Sequence, residues 1–269
     1  MCYFATKLTA GAILMNVRVL GCNGSQLPDY KTTCFLLGQN VLVDAGAVTS
    51  VLSLREQQKI DYIFVTHAHL DHIRDIVFLA DNIYYQRREK PLVIVGTKGT
   101  IDAIHRSLFN NVIWPDFSRI PSPKTPVVKF QIIRPGRKQK IGDLVIKAVN
   151  LHHSVESVGY IIENEGRSVI FMGDTGPTEE IWRAVEKTKG LQAIFIETSL
   201  PNGMSDVADK TGHLTPRYLA DELKKLVRAK PIIYLYHLKP IYRKIIRKEV
   251  ADIKDDNIRI IEDGQRIRI

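Results

Sequence analysis

The segment Thr66-His67-Ala68-His69-Leu70-Asp71-His72 limits what this chain can fold into more than any other stretch. Three imidazoles and a carboxylate follow directly on an apolar run, 62–65, that reads as a buried strand. Histidine offers neutral nitrogen and aspartate a hard oxygen, the mixture that borderline divalent metals prefer. A strand-to-helix turn lets His67 and His69 point one way while Asp71 and His72 point another. Four donors in two directions predict two metals, and a fold that uses them must bring further ligands from distant parts of the chain.

The hydrophobic pattern around this segment alternates between two periods. Residues 16–20, 33–37, 41–43 and 92–95 are short, branched and apolar, bounded by Gly, Asn or Asp, and predict strands. Helical spacing runs over 71–80, with Ile73, Ile76, Val77 and Ala80 on one face, and again over 98–109. Four prolines within 115–126 predict an irregular surface loop. The second half repeats the order with different residues. Strands are predicted over 127–133, 144–149, 160–163, 168–172, 193–196 and 232–236, and helices over 179–187, 216–227 and 241–250. Asn164-Glu165-Gly166 predicts a hairpin turn. Clustered strands followed by helices, twice over, predict an α/β chain of two sheets packed face to face with helices outside.

The chain has 269 residues, and a clean strand pattern opens at Met15, so residues 15–269 are expected as a single domain with 1–14 as an N-terminal extension. With 45% hydrophobic and 25% charged residues the composition excludes disorder and fibrous repeats. Lys and Arg number 38 against 29 Asp and Glu, a net charge of +9, which favours an anionic partner, nucleic acid or a smaller phosphate-bearing ligand. The basic runs Arg87-Arg88, 137–140 and 243–248 read as solvated faces, since only Tyr242 adds an aromatic to them. Cys2, Cys22 and Cys34 are too few for a disulfide framework and read as core residues in a reducing cytoplasm. No apolar run approaches the roughly 20 residues of a membrane span.

His-x-His-x-Asp-His after a strand resembles the signature of the metallo-β-lactamase superfamily. That resemblance implies a four-layer αβ/βα sandwich of two mixed sheets, with helices on both outer faces and a one- or two-metal site at the edge. It also locates the missing ligands. His153, ahead of Gly159-Tyr160, matches the family's third histidine; Asp174, in Phe171-Met172-Gly173-Asp174-Thr175, matches the metal-bridging aspartate; His237, after the strand at 232–236, matches the last histidine. The neighbour His152 points the opposite way on an extended backbone. His67, His69 and His153 would hold one cation and Asp71, His72 and His237 the other, with Asp174 shared. Zinc is the default expectation, with manganese or iron as alternatives.

Two further segments, Phe195-Ile196-Glu197-Thr198-Ser199-Leu200-Pro201 and Thr211-Gly212-His213-Leu214-Thr215-Pro216, stand between that core and His237-Leu238-Lys239-Pro240. Together they resemble the class II cyclic-nucleotide phosphodiesterases over roughly residues 16–240. One departure is Arg74-Asp75, where the family tends to place a small residue. The resemblance implies cleavage of 3′,5′-cyclic AMP or GMP to the 5′-monophosphate by a water ionised between two cations, with Asp71, Glu197 and His213 in catalytic roles. His213, oriented by Glu197, is the expected proton donor to the leaving 3′-oxygen. Thr215-Pro216 reads as a helix N-cap followed by Pro at the first helical position.

The nearest rival is a tRNA 3′-end endonuclease of the same superfamily, which would share the seven ligands and suit a charge of +9. Such enzymes insert a long basic arm between the third histidine and the bridging aspartate, whereas a hairpin alone consumes the 21 positions from His153 to Asp174. A non-catalytic metal- or nucleotide-binding protein on the same fold is a second alternative. The expected partner is thus a small cyclic nucleotide, with nucleic acid less favoured, no membrane and a possible homodimer.

Overall fold

A computed structural model describes residues 15–86 and 88–269. The first half of the chain builds one sheet and its outer helices. In order come β1 (Asn16–Gly21), β2 (Cys34–Leu37), β3 (Val41–Val43), α1 (Leu54–Gln57), β4 (Tyr62–Phe64), α2 (Leu70–Ile73), α3 (Ile76–Tyr85), β5 (Leu92–Gly96), α4 (Lys98–Ser107), the two-residue strands β6 (Pro121–Ser122) and β7 (Thr125–Pro126), and β8 (Val128–Ile132). The second half supplies β9 (Lys138–Ile141), β10 (Leu144–Asn150), β11 (Val158–Asn164), β12 (Arg167–Phe171), α5 (Glu180–Val185), β13 (Leu191–Glu197), α6 (Ser205–Thr211), α7 (Pro216–Leu223), β14 (Ile232–Tyr236), α8 (Arg243–Ala251), β15 (Ile258–Ile260) and β16 (Arg266–Arg268).

Each main sheet has seven strands, ordered β16-β1-β2-β3-β4-β5-β8 and β15-β14-β13-β12-β11-β10-β9. Both are mixed: β3-β4-β5-β8 and β12-β13-β14-β15 run parallel, and the other neighbours antiparallel. Strands buried on both faces read as continuous apolar runs, which is why Tyr62–Phe64 and Ile232–Tyr236 were legible. Between the sheets lies an aromatic core in which Phe35 meets Phe171, Phe195 and Tyr236 at ring distances of 5.2, 5.4 and 5.2 Å. A second core packs α3 and α4 on the first sheet, and a third packs α5, α7 and α8 on the second. The result is the expected αβ/βα sandwich.

The differences from the sequence pattern are local. The helix predicted over 71–80 is two helices broken at Arg74-Asp75, because the buried Asp75 carboxylate accepts from Thr49 N–H and Oγ–H at 2.8 Å each. The proline-rich stretch contains the small β6–β7 hairpin. Strands β9, β15 and β16 and helices α1 and α6 were not predicted: β9 is lysine-rich and the others are short. The predicted hairpin turn is present, with Glu165 and Gly166 at φ 48° and 80° between the paired Asn164 and Arg167, the twist that two-residue loops favour. Cys22 and Cys34 are buried free thiols. Cys2 and the proposed extension over 1–14 lie outside the described residues. Among the described residues no helix is long and apolar enough to cross a membrane.

Candidate metal centre and active site

The parallel strands of both sheets end at one edge, so the loops after β3, β4, β12, β13 and β14 converge there, as ligand-binding loops do in open α/β sheets. The loop after β4 carries His67, His69, Asp71 and His72. It is held from beneath by Asp44, at the end of β3, which accepts Thr66 N–H at 2.8 Å, Thr66 Oγ–H at 2.9 Å and His72 Nδ1–H at 2.8 Å. The fit needs glycine at position 46, where a Cβ would fall 2.0 Å from the Asp71 carbonyl oxygen. Gly24 similarly admits the His237 ring, whose Nδ1 lies 2.7 Å from where its Cβ would be.

All seven residues read from the sequence as metal ligands come together. His67, His69, His153 and Asp174 offer ligand atoms within 4.8 Å of one another, and so do Asp71, His72 and His237. Asp174 joins the two groups: its Oδ2 lies 3.7 Å from His67 Nε2, 3.5 Å from His72 Nε2 and 3.3 Å from His237 Nε2. His152 is exposed and takes no part.

The donor set fits divalent cations for reasons internal to the chain. His72 uses Nδ1 on Asp44 and His237 uses Nδ1 on the Ser199 hydroxyl, so their Nε2 atoms, 3.2 Å apart, bring two lone pairs together. His153 uses Nδ1 on the Gly212 carbonyl, and its Nε2 faces His69 Nδ1, again at 3.2 Å. Such pairs repel unless a proton or a cation lies between them. His67 Nε2 and Asp174 Oδ1 are buried without a hydrogen-bond partner, which costs free energy unless another species satisfies them.

The electrostatics point the same way. Burial, reinforced by the His72 charge, holds His67 well below the ordinary imidazole range, and burial also lowers His69 and His153; all three are thereby kept in the neutral, ligating form. At His72 burial is outweighed by Asp174 and Asp44, which raise its pKa well above the usual value. Asp174, although fully enclosed, is driven well below the carboxylate range by His237 and His72. Burial opposes the charge on Asp71 too, but the His237 hydrogen bond and His72 outweigh it and lower that pKa. The pocket therefore holds carboxylates charged and favours positive charge at its centre.

Glu197 and His213 lie beside this cluster, as the sequence predicted. His213 Nδ1–H donates to Glu197 Oε1 at 2.7 Å, and Glu197 also accepts Ser199 Oγ–H at 2.7 Å and Thr175 N–H at 3.2 Å. Burial disfavours the His213 imidazolium, but the Glu197 carboxylate outweighs it and moves the pKa up to about 9. His213 also comes within ligand distance of Asp174 and His237, although its Nδ1 is taken by Glu197. Thr215 caps α7 through Tyr218 N–H, with Pro216 at the first helical position, as read from the sequence.

Two residues of the site escaped sequence reasoning. Asp44 carried one faint signal, an acidic residue closing an apolar strand before Ala45-Gly46. Ser199 stood in a segment that carried the phosphodiesterase resemblance, but without a role: its bridge between Glu197 and His237 exists only in three dimensions.

The match to a family model for cAMP phosphodiesterases class-II covers residues 45–266. A "Probable 3′,5′-cyclic-nucleotide phosphodiesterase" from Yersinia pestis is 29% identical over 237 residues, 76% of this chain and 66% of that protein. The 3′,5′-cyclic-nucleotide phosphodiesterase 1 of Saccharomyces cerevisiae is 32% identical over 190 residues, 62% of this chain and 50% of that protein. The chain thus spans between half and two thirds of these relatives. A ribonuclease Z from Clostridioides difficile is 28% identical over 222 residues, 80% of this chain and 67% of that protein. The crystal structure of unliganded yeast PDE1 shares the fold, with TM-score 0.82 and 22% identity over 95% of this chain and 99% of that one. With 222 of its 269 residues inside the family model and the site assembled at the sheet edge, the chain belongs to the class-II cAMP phosphodiesterase family.

Proposed function

We propose that the chain hydrolyses 3′,5′-cyclic nucleotides to 5′-monophosphates; His67, His69 and His153 would hold one divalent cation and Asp71, His72 and His237 another, with Asp174 available to both groups. The observation that carries this reading is the junction of the two ligand groups at Asp174 with the His213–Glu197 pair beside them. The cations, when bound, lower the pKa of water towards neutrality and offset phosphoryl charge.

The chain's own groups do the rest. The Asp71 side chain is 26% exposed against 2% for Asp174, so it is the ligand carboxylate able to accept a hydrogen bond from the attacking water. His213 Nε2–H gives its proton to the 3′-oxygen as the P–O3′ bond breaks and the new P–O bond forms. Glu197 holds Nδ1–H throughout and stabilises the imidazolium that exists before the transfer. Ser199, shared by Glu197 and His237, keeps acid and ligand in register.

Endonucleolytic trimming of tRNA 3′ ends is the second reading, favoured by the ribonuclease Z relatives. Against it, the 21 positions from His153 to Asp174 are spent on the β11–β12 hairpin and its flanks, which leaves no arm to grip a tRNA. Purified protein supplied with manganese or zinc should convert 3′,5′-cyclic AMP to 5′-AMP, and His69→Ala should abolish turnover. Cleavage of a pre-tRNA trailer without cyclic-nucleotide turnover would establish the second reading in place of the first.

A further inference from the structure

The end of the first sheet opposite the metal site is a trough. Three hollows of about 720, 560 and 580 Å³ follow one another along it and share walls: the first and second share Gln39, Asn40 and Lys59, and the second and third share Arg88, Glu89 and Lys90. They follow the strand ends from β16 across to β8, where Asn16 opens β1 and Asn40, Asp61, Pro91 and Val127 stand just before β3, β4, β5 and β8. Seven strands spaced by about 4.8 Å make this edge roughly 29 Å long.

Its charge is one-sided. Lys59, Lys90, Lys124, Lys129, Arg266 and Arg268 are exposed along the trough, and none forms an ion pair among the described residues. Two of the acidic residues in its walls are already matched: Glu56 pairs with Arg18 at 2.8 Å, and Asp61 pairs with Arg88. Glu89 is the remaining acid. At one end Tyr84, 38% exposed, lines the third hollow, and its ring meets that of Tyr85, 71% exposed, edge-on at 5.3 Å. Segments far apart in sequence supply these residues, and of the basic runs read from the sequence Arg88 alone lines the hollows.

We infer that this trough is a binding surface for a single-stranded nucleic acid, separate from the metal site. At about 3.4 Å per phosphate, the rise of one strand in a duplex, its length would match about eight phosphates, and an extended single strand sets fewer along it. A concave, cation-lined channel with aromatic faces at one end is the form that tracks a backbone and stacks bases, whereas a bilayer presents a plane. The inference does not depend on the cyclic-nucleotide reading, since neither set of residues contributes to the other.

The test is fluorescence anisotropy with a fluorescein-labelled single-stranded RNA of about 12 nucleotides, long enough to fill the trough. With four phosphates engaged, affinity should fall about 50-fold between about 50 and 200 mM KCl. The triple variant Lys59→Glu/Lys90→Glu/Lys124→Glu should bind at least tenfold more weakly, and Tyr85→Ala about tenfold, with unaltered circular dichroism and cyclic AMP turnover. These side chains are exposed, so the fold should tolerate the changes. Saturating 3′,5′-cyclic AMP should leave bound RNA in place. Absence of RNA binding at low salt, equal binding by the triple variant, or displacement by cyclic AMP would each overturn the inference. So would charge-dependent binding to phosphatidylserine vesicles with no binding to RNA, which would make the trough a membrane contact.

Discussion

Asp44 and His237 both hold left-handed backbones, at φ 57° and 64°, a conformation that costs a non-glycine residue about 1–2 kcal/mol. Each is fixed there by its side-chain and backbone bonds: Asp44 by Thr66 and His72, His237 by Ser199 and by its N–H to the Cys22 carbonyl at 2.7 Å. Replacing Asp44 by Asn keeps the shape but turns an amide N–H towards either Thr66 or His72 Nδ1–H. Metal affinity should fall about 10- to 100-fold, as with other lost partners of metal-bound histidines, and zinc titration monitored by calorimetry would show it. An unchanged affinity would mean that Asp44 only supports the loop. His213→Gln should lower kcat by about 10²- to 10⁴-fold while metal content stays constant. Metal lost in parallel would make His213 a ligand and not the proton donor. The histidines at 67–72 were legible because four donors share one short segment. Asp44 and Ser199 were not, because a single polar residue becomes informative only once its neighbours are known.

At the level of elements, periodicity located most strands and misplaced one helix. The 71–80 pattern has an unbroken apolar face, yet the chain breaks at Asp75, where two hydrogen bonds to Thr49 and one from its own N–H to Ala45 outweigh helical continuity. A tertiary contact overrode a local preference. The same break accommodates Arg74-Asp75, the point at which the sequence departs from its family pattern: Arg74 reaches Asp75 and Gln26 instead of crowding the site. The proline-rich stretch is likewise tied down, by Asp116, whose carboxylate accepts from Ser118 and lies 3.2 Å from His105 Nε2 and 3.4 Å from Arg119 Nε. Burial works to raise its pKa, but Ser118 and His105 outweigh it, so the folded value lies below the unfolded one. Its contribution is therefore present above about pH 4 and lost as pH falls through the folded pKa. Asp116→Asn should cost about 1–2 kcal/mol at pH 7, and the gap to wild type should close on acidification in urea titrations. A gap that persists in acid would show that geometry, not charge, holds the loop.

Across the whole molecule, the C-terminal strand proved least legible. Three residues alternating Arg-Ile-Arg gave no pattern, yet β16 completes the first sheet by pairing with β1. The turn before it places Asp263, which accepts Cys22 N–H at 2.9 Å, Lys31 N–H at 2.8 Å and the Asn23 amide at 3.1 Å, fastening the loop that abuts His237. Ile267, 5% exposed in the central core, should cost about 2–4 kcal/mol when cut to alanine, lowering Tm by several degrees. If calorimetry finds no loss, the strand is an ornament to a sheet that stands without it.

The ligand groups do not each belong to one sheet. His67, His69, Asp71 and His72 descend from the first, and His153, Asp174 and His237 from the second. A cation seated among them is thus also a rivet between the two halves of the sandwich, and its uptake opposes their parting as well as readying the centre for chemistry. Adding zinc or manganese should raise Tm in step with occupancy, and the rise should vanish in His69→Ala/His237→Ala. Starving such a molecule of metal would loosen its architecture as well as silence its catalysis.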